Sequence, residues 1–128
     1  MTSAAIECEI DHERRVFITR YVGDVTGDMA QAELPRLWAR HNEVLSYNSL
    51  VDAIAFTGVI GHGDIRAIAA LWRDFCGGQI PAKRAAIVSR DEMVPMSAKA
   101  IFTEFPEQRY AVFTTRAEAL DWLTDESG

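Results

Sequence analysis

His62 and Asp64 stand two residues apart in a glycine-rich stretch, Thr57-Gly58-Val59-Ile60-Gly61-His62-Gly63-Asp64. A histidine beside a carboxylate is a pairing suited to general acid–base chemistry. Such a pair needs a nucleophile or a second base within about 3 Å. Ser89 is a candidate only if the fold brings it there. The plainer reading is an exposed loop histidine and an aspartate that starts a helix, where its charge suits the dipole. Gly58, Gly61 and Gly63 match neither the phosphate loop nor the dinucleotide fingerprint, so they read as turn residues and no cofactor is expected. A metal would need three or more converging ligands, but His12, His41 and His62 fall in different elements, so no metal site is expected.

Asp52 interrupts an otherwise apolar stretch, Ser49 to Phe56. A carboxylate in a buried strand must find hydrogen bonds or a cation. The expected role is structural, a tie from that strand to a neighbouring loop; a role in a pocket is the alternative. Cys8 and Cys76 have no metal or redox spacing and read as small buried hydrophobes with free thiols. Trp38, Trp72 and Trp122 each lie on an apolar helical face, where core packing is expected.

The chain that must position these residues has 128 residues, a length that fits one domain over 1–128. Its composition is 48% apolar and 25% charged, ordinary for a globular protein with a real core. The net charge is -6, and no run of Lys or Arg exceeds two. Nucleic-acid affinity rests on clustered cations that neutralise phosphates, so that partner is argued against. An anionic membrane surface is argued against on the same ground. The opening MTSAAIECEIDHE lacks the basic and apolar segments of a signal peptide, and no apolar stretch approaches the roughly 20 residues of a membrane span. A cytoplasmic, reducing setting without membrane insertion is expected.

Periodicity supplies the elements. Ala5–Ile10 and Val16–Val22 read as strands separated by a short polar turn, hence an antiparallel hairpin. After Gly23-Asp24, Thr26 is a candidate N-cap, and Leu34, Leu37, Trp38, His41 and Leu45 recur at helical spacing. Pro35 either kinks this helix or opens its main body. A strand over Ser49–Phe56 follows, then a helix from about Asp64 with Ile65, Ile68, Ala69, Trp72 and Phe75 on one face, ended by Gly77-Gly78. Arg84–Ser89 and Arg109–Thr114 read as strands around a helix that opens near Pro95. Thr115 to Glu118 has the form of a capping box before a last helix, and Asp125–Gly128 reads as a solvated tail. The order β-β-α-β-α-β-α-β-α predicts an α/β fold: a mixed five-stranded sheet, its first strand antiparallel to the rest, with helices packed on it.

That order, with Gly23-Asp24-Val25-Thr26 leading into the first long helix, Leu50-Val51-Asp52, and the ending Ala111 to Leu123, resembles the SpoIIAA-like (STAS-type) family. The ending is similar to that of small bacterial STAS-like proteins related in fold to CRAL-TRIO lipid-transfer domains. The resemblance spans nearly the whole chain and implies a regulatory or protein-interaction domain. The anti-sigma-factor antagonists of this family carry an Asp-Ser-Ser-Gly-type phosphoacceptor where this chain reads Gly61-His62-Gly63-Asp64, so the phosphorylation switch is expected to be missing.

Open α/β sheets place ligands beyond the carboxyl ends of their parallel strands. The expected binding edge is therefore Thr57, Gly61, His62 and Asp64 with Ser89 and Arg90. The leading expectation is a non-catalytic domain that docks a protein partner, or itself as a homodimer, through the second helix and the loop before it. Binding of a small apolar or lipid-like ligand is the alternative, although a pocket of about 300–1,000 Å³ is hard to hollow from so small a core. A small hydrolase using His62 and Asp64 is the third.

Overall fold

The computed structural model describes residues 4–125, so Met1–Ser3 and most of the expected tail, 126–128, lie outside the described residues. Five strands, β1 (Ala5–Asp11), β2 (Val16–Val22), β3 (Asn48–Asp52), β4 (Lys83–Val88) and β5 (Gln108–Phe113), form one sheet in the order β1-β2-β3-β4-β5. β1 pairs antiparallel with β2, Glu7 opposite Arg20 and Cys8 opposite Thr19. The remaining pairs are parallel, with Ile18 beside Leu50, Leu50 beside Ala86, and Ala86 beside Ala111. Four α-helices connect or follow them: α1 (Gly27–Arg40), α2 (His62–Phe75), α3 (Val94–Thr103) and α4 (Arg116–Thr124). This is the mixed sheet expected from the order of elements.

Strand alternation divides the sheet into two faces. Val16, Ile18, Leu50, Ala86 and Val88 face α4 and pack on Ala119 and Leu123. Ala86 and Ala119 are fully buried, and two such small residues let the helix approach the sheet closely. The residues between them in sequence point the other way. Phe17 on that face packs with Ala30, Leu34, Leu37 and Trp38 of α1 and with Ile68 and Trp72 of α2. Trp38, Trp72 and Phe75 form an aromatic group whose ring centroids lie 5.1 to 6.1 Å apart. All three tryptophans thus contribute to packing; Trp122 lies against Phe113 on the α4 face at 5.7 Å.

Several boundaries differ from the sequence reading. α1 runs unbroken through Pro35, which therefore does not open the helix body, and it stops at Arg40. His41 caps it and a short 3₁₀ turn, Asn42–Leu45, follows, so His41 and Leu45 are not part of its stripe. β3 stops at Asp52, not Phe56: the Asp52 carboxylate accepts the amide of Ile54 at 3.1 Å and turns the chain out of the sheet. α2 starts at His62, two residues before the expected Asp64, because Asp64 is its third residue and reaches back to accept the amide of Gly61 at 3.1 Å.

α4 begins at the expected cap. The Thr115 hydroxyl accepts the amide of Glu118 at 3.3 Å. The Glu118 carboxylate reaches back to the hydroxyls of Thr115 and Thr114, at 2.9 and 3.4 Å.

Candidate functional site

The face that carries Phe17 also carries Thr19 and Tyr21 of β2, Ser49 and Val51 of β3, and Lys83, Ala85 and Ile87 of β4. Serine, valine and alanine at its centre are too short to reach the helices that cover them. Ser49 and Val51 are accordingly only half-buried, although β3 is the middle strand of five. The space above them is a cavity of about 710 Å³. Its floor is the sheet face just described, and its far wall is Ile65, Ile68 and Trp72 of α2 with Ile101 and Phe102 of α3. This half-open pocket has a volume within the usual range of ligand sites, although a pocket was expected to be hard to hollow from so small a core.

Polar contacts tie α2 to the end of α3 beside the cavity. Glu104, just past α3, accepts Arg73 at its backbone carbonyl at 2.9 Å. Its carboxylate lies 3.5 Å from His62 Nε2 and 3.7 Å from Arg66 Nε. The aromatic pair Phe102–Tyr110, stacked at 4.7 Å, anchors α3 to the sheet edge.

The loop after β3 shapes the mouth. It runs beside the loop after β2, with Gly23 bridged to Phe56 and Thr26 to Val59. Gly58 lies so close to Val25 that a Cβ there would come within 2.1 Å of the Val25 carbonyl oxygen; only glycine permits this approach. The Thr57 hydroxyl bonds the Asp24 carboxylate. Wall residues that reach solvent mark the opening: Val59 is 83% exposed and Ile54 41% exposed, beside exposed Arg90 and Asp91. Val94 and Ser97 carry the wall onto the start of α3, while Met93 and Met96, 60% and 71% exposed, are not among the wall residues.

The residues expected at the binding edge separate into two groups. Thr57, Ser89 and Arg90 lie in the cavity wall, whereas Gly61, His62 and Asp64 do not. Asp64 turns toward α1, where it accepts Gln31 Nε2 at 2.8 Å, and a Cβ on Gly27 would overlap its carboxylate. His62 faces Glu104, so His62 and Asp64 share no hydrogen bond among the described residues. Ser89 is buried and its hydroxyl accepts the amide of Asp91 at 3.1 Å. The third strand end, 114–116, shares the carboxyl edge of the sheet, but Arg116 serves the α4 face. Its guanidinium donates to Asp52 at 2.9 Å and Glu9 at 2.8 Å. Burial works against its charge, but Asp52 and then Glu9 outweigh that and raise its pKa.

Lys83 is the polar residue that the sequence reading missed. Lys83 is half-buried and lines the cavity, its amine 4.8 Å from the centre of the Trp72 ring. It donates to the Val44 carbonyl at 2.8 Å and to Ser49 Oγ at 2.9 Å. Burial lowers its pKa to about 8. The indole N–H of Trp72 is buried in the same region and has no acceptor among the described residues. The signal for Lys83 was present in Lys83-Arg84-Ala85-Ala86-Ile87, where a lysine shares a strand face with Ala85 and Ile87. Burial raises the pKa of both Cys8 and Cys76, which keeps the two free thiols protonated and poorly nucleophilic. Among the described residues no group of three His, Cys, Asp or Glu converges as a metal site. No helix there is long and apolar enough to cross a membrane.

No protein-family model matches the chain, and no curated protein matches it either. A solved structure does: an uncharacterised protein of the DUF3478 family with a SpoIIAA-like fold from Shewanella loihica PV-4. The two superpose with a TM-score of 0.65 over 96% of this chain and 95% of that one, at 20% sequence identity. The chain therefore has a SpoIIAA-like fold, the fold to which its order of elements pointed.

Proposed function

We propose that this chain is a non-catalytic STAS-type domain that holds a small, mainly apolar molecule between its sheet and α2 and α3. The supporting observation is the cavity of about 710 Å³, which falls within the usual range of ligand sites and has apolar walls with a few polar groups. The separate engagements of His62, Asp64 and Ser89 favour binding over acid–base or nucleophilic chemistry. A phosphorylation switch has no place at the start of α2: Gly61-His62-Gly63-Asp64 offers no hydroxyl, and Asp64 already occupies the first free amide.

The reading is tested by titrating the protein with decan-1-ol in a calorimeter, alongside a Val51→Phe variant. Val51 is a half-buried floor residue, so the larger ring grows into existing space. Saturable binding by the parent is expected, with at least a roughly tenfold loss in the variant. Stability should change by less than about 1 kcal/mol, because the ring fills a void and does not overpack a filled core. A parent that does not bind, or a variant that binds equally well, overturns the reading.

A second reading, docking of a protein partner or a second copy at the mouth, is favoured by the exposed apolar residues Ile54 and Val59 there. If the mouth is a self-association surface, an Ile54→Asp, Val59→Asp variant sediments as a smaller species than the parent. Identical sedimentation of parent and variant removes the homodimer form of this reading.

A further inference from the structure

The geometry points to an amphipathic carboxylate, an apolar chain ending in one carboxyl group, as the ligand class, with Lys83 as the residue that receives its head. This inference rests on the cavity being a ligand site and specifies what the site selects. An ammonium carries three donors, and Lys83 uses two of them, on Val44 O and Ser49 Oγ. Among the described residues no carboxylate lies within ion-pair distance of its amine. A cation withdrawn from water without a counter-ion is costly, and an anionic ligand removes that cost. The amine sits over the Trp72 ring, whose face attracts the cation but supplies no full negative charge, and the indole N–H of Trp72, a residue only 4% exposed, is a donor without an acceptor. What this end of the cavity lacks is thus a full negative charge for the amine and an acceptor for the indole N–H.

The remaining walls specify the rest of the molecule. From Lys83 to Ser89 the strand advances about 20 Å. The floor along that path is Ala85 and Ile87, and the walls are Ile68, Ile101, Phe102 and Phe105, all apolar. The other cation in the wall, Arg90, lies at the far end beside Asp91, so the Lys83 end offers a single positive charge. One charge there suits a carboxylate better than a doubly charged phosphate. A chain laid along the strand with its head on Lys83 places its tail at the apolar rim formed by Ile54 and Val59.

Calorimetric titration at pH 7 with decanoate and with decan-1-ol, on the parent protein and on Lys83→Met, tests the assignment. The parent is expected to bind decanoate at least about tenfold more tightly than the alcohol, as a charge-assisted contact requires. Lys83→Met keeps the length of the stem and removes the charge; it should lose the preference and keep alcohol binding within about threefold. Alcohol binding without a preference for the acid in the parent overturns the Lys83 assignment and leaves the cavity reading intact. A preference that survives in Lys83→Met overturns it as well. Binding of neither compound removes both readings. If the variant does not fold, the acid-to-alcohol ratio in the parent alone decides.

Discussion

Asp52→Ala is expected to destabilise the protein by about 2–3 kcal/mol, read from urea unfolding. The Asp52 side chain is 10% exposed and its carboxylate has two partners, Arg116 Nη2 at 2.9 Å and the Ile54 amide at 3.1 Å. Removing one member of a fully buried pair costs about 3–5 kcal/mol, because the surviving charge is left without compensation. Arg116 is less confined than that. Its side chain is 36% exposed and it keeps Glu9 at 2.8 Å, so water and Glu9 recover part of the loss, as at exposed pairs. The turn at Ile54 adds about 1 kcal/mol, the usual value of one net hydrogen bond. Asp52→Asn separates the two contributions: its amide oxygen can still accept from Ile54, but it offers Arg116 no charge. It should retain about half of the stability that Asp52→Ala loses. Equal losses in the two variants would show that the turn contributes nothing, and a loss below about 0.5 kcal/mol in Asp52→Ala would show that the cluster is inert. The same variants bear on the cavity, since the loop that Asp52 turns out of the sheet carries Ile54, Thr57 and Val59 in its wall.

Asp52 also marks where sequence reasoning reached and where it stopped. That a carboxylate in an apolar strand needs a partner follows from burial alone. Which partner it finds depends on Arg116, 64 residues along the chain, arriving over the same strand end, and no local pattern encodes that. The order of elements was legible because hairpin spacing, helical stripes and the Thr26 and Thr115 caps are local signals. The Ser49–Phe56 strand was read too long because its apolar run continues through Phe56, while the turn that ends it is made by a side-chain hydrogen bond. The cavity was not legible, because its volume is a negative quantity: it arises where the short side chains of Ser49, Val51 and Ala85 line the floor beneath α2 and α3. A list of apolar positions predicts contact among them and has no way to predict a gap. Lys83 escaped notice for a related reason. On a linear chain it is one of thirteen scattered cations, and only the strand register places it on the cavity face.

Lys83 contributes a component of stability that grows with pH in the alkaline range. Burial holds the folded-state amine at about 8, against 10.5 for an exposed lysine. Below about pH 8 both states carry the proton and the folded state bears the full cost of a confined charge. Between about 8 and 10.5 the folded protein gives up the proton while the unfolded chain keeps it. The unfolded state then binds more protons, and stability increases with pH. The full gain is on the order of 3 kcal/mol. Other groups oppose it. Burial pushes the Tyr21 hydroxyl up to about 12, so that contribution to stability is present below pH 10 and declines above it. Burial likewise raises the Cys8 and Cys76 thiols above 9.0, with the same sign as Tyr21, and Cys76 is coupled to Lys83. Unfolding free energies of the parent minus those of Lys83→Met, both in a Cys76→Ala background, cancel these terms between pH 7 and 10. The difference should move in favour of the parent as pH rises; a flat difference would mean that the amine is as solvated as a surface lysine. Decanoate provides the complementary measurement. A carboxylate on Lys83 supplies the missing counter-ion, holds the amine charged and stabilises the fold most where the confined charge costs it, below about pH 8. Ligand-induced stabilisation that shrinks from pH 7 to pH 10 in the parent, and is small and pH-independent in Lys83→Met, would tie the titration and the binding to one nitrogen atom.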